Sequence, residues 1–237
     1  MKTFLTFLTF LTFLILLSFG VNAASDKIHL DKAPIDLSDK QSLQRGARIF
    51  VNYCLNCHSA NYMRYNRLTD IGLTENSIKE NLLFTSNKVG DTMSIAMSTD
   101  DSKEWFGATP PDLTVVARSR GVDWIYSYMR GFYRDKTREM GWNNKVYLNS
   151  AMPHILWELQ GEQTLDVNSG NLSLIKPGKL TEKEYDSLAA DLTNYLAYMS
   201  EPVKLKRQKI GLYVLGFLIL LLFLSVNLKR EFWRDIK

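Results

Sequence analysis

Only two cysteines occur in the 237 residues, and both fall in Cys54-Leu55-Asn56-Cys57-His58. Two thiols at C-x-x-C spacing can each form a thioether to one porphyrin vinyl group, and the imidazole that follows reaches the iron from the proximal side. The pattern predicts one covalently attached haem c, with His58 as an iron ligand. A redox dithiol should open a helix after a strand, and no βαβ pattern precedes Cys54. A zinc site needs more ligands, and there is no third cysteine to supply one.

The second axial ligand separates electron transfer from ligand chemistry, because a closed coordination sphere leaves no position for a substrate. The candidates are Met63, Met93, Met97, Met129, Met140, Met152 and Met199, with His29 and His154. Met63 lies too near His58 to reach the opposite face of a porphyrin, and Met129 and Met199 fall at core-like positions of predicted helices. Met152, in Ser150-Ala151-Met152-Pro153-His154, sits in a loop where the following proline holds its backbone extended. A thioether there would raise the potential, and His154 is its rival, which would lower it. Spacing alone leaves both open.

Most of the chain around these residues reads as helix. Ser38-Asp39-Lys40-Gln41 forms a capping box, and Leu43, Ala47, Phe50 and Val51 recur at helical spacing up to Cys54, so the first helix delivers the cysteine pair. Thr74 and Ser77 are candidate caps for a short helix through Leu83. A third helix is predicted over 122–133, with Trp124, Tyr128 and Phe132 on one face as core or as a haem-edge contact. Thr181-Glu182-Lys183-Glu184 is a second capping box, and its helix runs to Glu201-Pro202. Between Asp135 and Asn171 the signals are turns, at Gly141-Trp142-Asn143-Asn144 and at Asn168-Ser169-Gly170-Asn171, the latter as a hairpin tip. No strand pattern is strong enough to build a sheet.

The two ends are apolar. Residues 1–19 carry one charge, Lys2, ahead of Val21-Asn22-Ala23, which reads as a secretory signal; uncleaved, it would be an N-terminal anchor. Ile210 to Leu228 is free of charge and long enough to cross a bilayer core of roughly 30 Å. Its basic flanks are balanced, so the signal sets the topology. The expected organisation is a signal peptide over 1–23, a periplasmic cytochrome c domain over 24–203, a basic hinge over 204–209, a transmembrane helix over 210–228 and a cytoplasmic tail over 229–237. The chain carries +4 overall, yet residues 24–203 hold 23 Asp/Glu against 20 Lys/Arg. That acidic excess would steer a basic soluble partner, and nothing in it supports nucleic acid. Its densest part, Asp100-Asp101 with Glu104, reads as a solvated loop.

Arg45-Gly46-Ala47-Arg48-Ile49-Phe50 leading into Cys54–His58, then Tyr62 to Leu68, Pro110-Pro111-Asp112-Leu113-Thr114, Met152-Pro153-His154 and a lone C-terminal anchor together resemble the cytochrome c1 family in its short proteobacterial form. The resemblance spans nearly the whole chain. It implies a mainly α, class I cytochrome c-like haem domain with long irregular loops plus one C-terminal transmembrane helix. It implies haem c attached through Cys54 and Cys57, with His58 and Met152 on the iron. Arg120, with Arg118 beside it, matches the arginine at a haem propionate, and Pro111 shapes the pocket loop. The family's place is in the cytochrome bc1 complex of the bacterial inner membrane, with cytochrome b and a Rieske iron–sulfur protein as partners and a cytochrome c as acceptor. Quinol oxidation belongs there to other subunits. Asp123-Trp124 stands where many relatives have a tyrosine, and Trp105-Phe106 where they have small polar residues. The alternatives are a membrane-anchored monohaem carrier for a terminal oxidase and a haem sensor or peroxidase-like protein.

Overall fold

The computed structural model describes residues 28–236, so the expected signal peptide lies outside the described residues. The first helix, α1 (Lys40–Ile49), is capped by Asp39, whose carboxylate accepts from the backbone N–H groups of Gln41 and Ser42. The expected box started by Ser38 is not formed; Ser38 is tied up in a local turn on Asp36 instead. One wide π-turn, Phe50–Cys54, continues the helix into the cysteine motif. After it come β1 (Ala60–Arg64), a 3₁₀ segment (Tyr65–Ile71), α2 (Glu75–Asn81) capped by Thr74, and β2 (Thr92–Met93), which pairs with β1.

The acidic stretch expected as a loop is a helix, α3 (Thr99–Phe106). Ser98 caps it, and Asp100 and Asp101 in its first turn face the positive end of the helix dipole. A four-residue helix α4 (Val116–Ser119) precedes α5 (Val122–Arg130). The latter stops three residues earlier than its aromatic period suggests. Gly131 ends it, and Phe132–Arg134 becomes β3, paired antiparallel with β4 (Trp142–Asn144). Trp142–Asn144, expected as a turn, is thus a strand. The short helix α6 (Trp157–Gln160) leads into a hairpin of β5 (Gly161–Leu165) and β6 (Leu172–Pro177), with the expected tip at 168–171. Among the described residues there are three sheets, each two-stranded.

The long helix α7 (Glu182–Ser200) starts at the expected capping box of Thr181 and Glu184. It crosses α1 at close range. A Cβ placed on Gly46 would lie 2.6 Å from Tyr195 Cβ and closer still to the Asp191 carbonyl oxygen. Arg45 clamps the crossing with a two-pronged pair to Asp191, at 2.6 and 2.9 Å, and Phe50 packs on Tyr195 at 5.6 Å between ring centroids. After Glu201-Pro202-Val203 the tail helix α8 (Lys204–Phe232) begins. The segment 204–209, expected as a hinge, is helical and continuous with the apolar run, because nothing after Pro202 interrupts helix formation. At 1.5 Å per residue α8 is about 43 Å long. It is the one described helix long and apolar enough to cross a membrane, and no part of it is buried.

Candidate functional site

The π-turn that ends α1 aims both cysteines and His58 at one cavity of about 350 Å³. Its wall also carries Pro110, Pro111 and Leu113 from the loop before α4, Arg120, Trp124 and Tyr128 around α5, Met152 from the loop before α6, and Leu192 and Leu196 of α7. Three segments distant in sequence thus bring Cys54, Cys57, His58, Pro111, Arg120 and Met152 together. The lining is overwhelmingly apolar in residue type, as a porphyrin face requires.

His58 is 9% exposed. Its Nδ1–H donates to the Pro111 carbonyl at 2.8 Å, which leaves the lone pair on Nε2, and Nε2 has no partner among the described residues. Burial holds this imidazole below its ordinary pKa, opposed by the Pro111 carbonyl and Asp112, so it is neutral at pH 7. That is the state a metal-binding imidazole must have. The Pro-Pro-Asp-Leu-Thr loop is fixed beside it by Asp112, which accepts from the N–H groups of Asn61 and Thr114, both at 2.8 Å, and by Leu113 N–H donating to the Ser59 carbonyl.

Burial, reinforced by Cys57, pushes the Cys54 thiol up to about 12, and burial raises Cys57 as well. This surrounding disfavours the thiolates that a zinc site needs and suits neutral thioethers. The donor set, the apolar lining of the cavity and the unpartnered Nε2 all fit a covalently bound haem.

Of the candidate sixth ligands, Met152 and Met129 line the cavity, and His154 does not. Met129 is a core residue of α5, 6% exposed, whose carbonyl accepts from Tyr185. Met152 is half-buried in an irregular loop, its N–H donating to Ser150 Oγ at 3.3 Å. His154 points elsewhere and is 1% exposed. Its imidazole, driven down to about 3 by burial, is uncharged. Met63, Met93 and Met199 are core, and His29 lies on the surface beside Asp31.

Arg120 reaches the cavity wall, stacked over Trp124 at 5.2 Å and Tyr147 at 5.8 Å, with no carboxylate partner among the described residues. Arg118 does not line the cavity. Two positions apart at the end of a helix, the two side chains leave on nearly opposite sides, and Arg118 sits near Glu201. The aromatic face of α5 splits: Trp124 and Tyr128, stacked at 4.8 Å, line the cavity, whereas Phe132 packs away from it. Phe106, Tyr147, Leu192 and Leu196 are cavity residues that the sequence does not mark as such; apolar periodicity shows a face without showing what covers it.

A model of the cytochrome C1 family matches residues 31–236. The chain is 50% identical over 222 residues to a protein of Nitrosomonas europaea named ammonia monooxygenase gamma subunit, covering 94% of this chain and 95% of that one. It is 46% identical over 219 residues to the cytochrome c1 of Allochromatium vinosum, covering 88% and 90%. Among solved structures it resembles a chain of a hyperthermophilic respiratory Complex III, at a TM-score of 0.50 and 15% identity, with 100% of this chain and 98% of that one covered; this likeness concerns the fold alone.

Proposed function

This chain belongs to the cytochrome c1 family, and from that premise we propose that Cys54 and Cys57 would anchor a haem c, with His58 and Met152 as the residues that would hold its iron. The haem, when bound, supplies a one-electron couple between ferric and ferrous iron. The chain is the electron-transfer subunit of a bc1 complex, anchored in the membrane by one C-terminal helix. In our reading it takes single electrons from the Rieske iron–sulfur protein and passes them to a cytochrome c, with cytochrome b packed against α8. The haem domain lies in the periplasm, after a signal peptide over 1–23.

The residues divide the work. Pro111 fixes the tautomer and direction of His58, and Asp112 holds Pro111 in place. Pro153 keeps the Met152 backbone extended. The apolar wall excludes water, and Arg120 supplies the one positive charge on it among the described residues, where it would meet a haem propionate. Two protein ligands, His58 and Met152, would leave a bound iron little to rearrange on electron transfer and no position for a substrate.

The convergence of Cys54, Cys57, His58 and Met152 on one apolar cavity carries this reading. Purification of the full chain from its native membranes in mild detergent tests it. Co-purifying b-type haem and a two-iron cluster, with quinol reducing the c-type haem, is the expected result. Isolation with terminal-oxidase subunits instead, or with a monooxygenase as the name of the Nitrosomonas relative would have it, would displace cytochrome b and the Rieske protein as its partners.

A further inference from the structure

The loop that carries Met152 is pinned on both sides. Before it, Ser150 is buried, and its Oγ bonds the Tyr128 hydroxyl at 2.8 Å and accepts from the Met152 N–H. After it, the His154 ring lies flat on Phe132, with centroids 4.7 Å apart and planes 5° apart, and meets Trp142 edge-on at 5.0 Å. Those two rings belong to the β3–β4 pair. Only Pro153 stands between this clamped ring and Met152.

A histidine buried this deeply normally satisfies its nitrogens, since an unpaired buried polar atom costs about 1–3 kcal/mol. Among the described residues neither Nδ1 nor Nε2 makes a hydrogen bond of acceptable geometry; the Gln160 side chain lies near enough to oppose the effect of burial on the ring, yet its Oε1 is likewise left without a well-formed bond. The contacts the ring does make are those of a flat aromatic body. We propose that His154 is a positioning residue: its ring, clamped between Phe132 and Trp142, acts as an aromatic plug that holds the 150–156 loop so that Met152 stays on the iron, and its nitrogens are dispensable for this. The inference rests on Met152 being the ligand, and the test separates the two.

Full-length chain with attached haem is compared as wild type, His154→Phe, His154→Ala and Met152→Ala. Two readouts are used: the weak red charge-transfer band of sulfur-ligated ferric haem, and carbon monoxide binding to the ferrous form. H154F keeps the flat stack and should retain the band and refuse carbon monoxide. H154A opens a cavity under the loop and should lose much of the band and admit carbon monoxide, approaching M152A. Loss of the band in H154F would show that the nitrogens matter and overturn the proposal, and this arm decides the matter even where H154A does not accumulate. An intact band in H154A would overturn it by showing that the ring is not needed. An unchanged band in M152A would instead remove the ligand assignment itself.

Discussion

Among the described residues Arg120 is the single guanidinium on the cavity wall, and it is held by faces of aromatic rings rather than by a carboxylate. A cation so placed opposes the loss of an electron's worth of negative charge near by, so it favours the reduced form. Arg120→Gln removes that charge while keeping polar reach. It should leave the haem attached and lower its midpoint potential by about 1 kcal/mol, or roughly 40 mV for a one-electron couple, read by redox titration of the c-type band. At this scale the sequence is legible where chemistry dictates spacing. Cys54, Cys57 and His58 declare themselves because one macrocycle fixes their separation. Met152 does not, since a ligand delivered from another segment has no fixed distance along the chain; only the resemblance singles it out, and the cavity still offers Met129 beside it. Arg118 and Arg120 are equivalent as text, and a helix end sends them to different places.

The α1–α7 crossing is the element on which the cavity depends, because α1 presents the cysteines and α7 supplies Leu192 and Leu196. Gly46 permits the approach. Gly46→Ala sets its methyl group against the backbone of Asp191, which cannot yield without parting the helices; overpacking of this kind costs about 1–3 kcal/mol or more. We expect a lower thermal midpoint and less haem-bearing protein in membranes, measured by haem stain and by melting of the helical circular dichroism. Helices α1, α5 and α7 can be read in advance because each buries a stripe of regular period. The β pairs cannot. A two-stranded ribbon of three residues a side has too few alternations to register, and β4 reads as a turn because Asn143 and Asn144 favour turns. In the fold their amides instead bond Asp135 and the Tyr128 carbonyl, and their side-chain oxygens accept from the backbone of 144–149. Asp100, Asp101 and Glu104 look like a solvated loop until Ser98 is recognised as a cap.

At the scale of the whole molecule, a scattered set of carboxylates titrates low for a common reason: each accepts hydrogen bonds in the folded state. Asp36 is held down by Ser38, Asp135 by Thr137, Glu162 by Arg134, Glu184 by the backbone and side chain of Thr181, and Glu201 by Arg207. A carboxylate whose folded pKa lies below its unfolded value of 3.8 or 4.5 contributes stability above that value and loses it as pH falls through the folded pKa. These groups face solvent, so each effect is small and they act together. Because the buried imidazole of His154, driven down to about 3, stays uncharged in the fold while the unfolded chain takes up its proton near 6.5, the denaturant midpoint of the haem domain should begin to fall as pH drops below about 6.5, with the carboxylates adding to the decline below about pH 5 and Glu184→Ala losing its deficit against wild type in that lower range. A midpoint that rose on acidification would contradict this linkage. The broad architecture, a mainly helical haem domain followed by one apolar tail helix, is evident from composition and period; that the basic segment 204–209 is helical is not, since a run of lysines and arginines reads equally well as linker or as helix.

Only seven residues separate Leu196, on the cavity wall, from Lys204, where the tail helix starts. Across that gap Ser200 Oγ accepts from the backbone of Ala117, and Arg207 reaches back to Glu201. So short a connection limits how far the cavity can stand from the foot of the tail helix. A partner that delivers or removes electrons would therefore have to come to a site close to the membrane surface rather than meet one on a long tether.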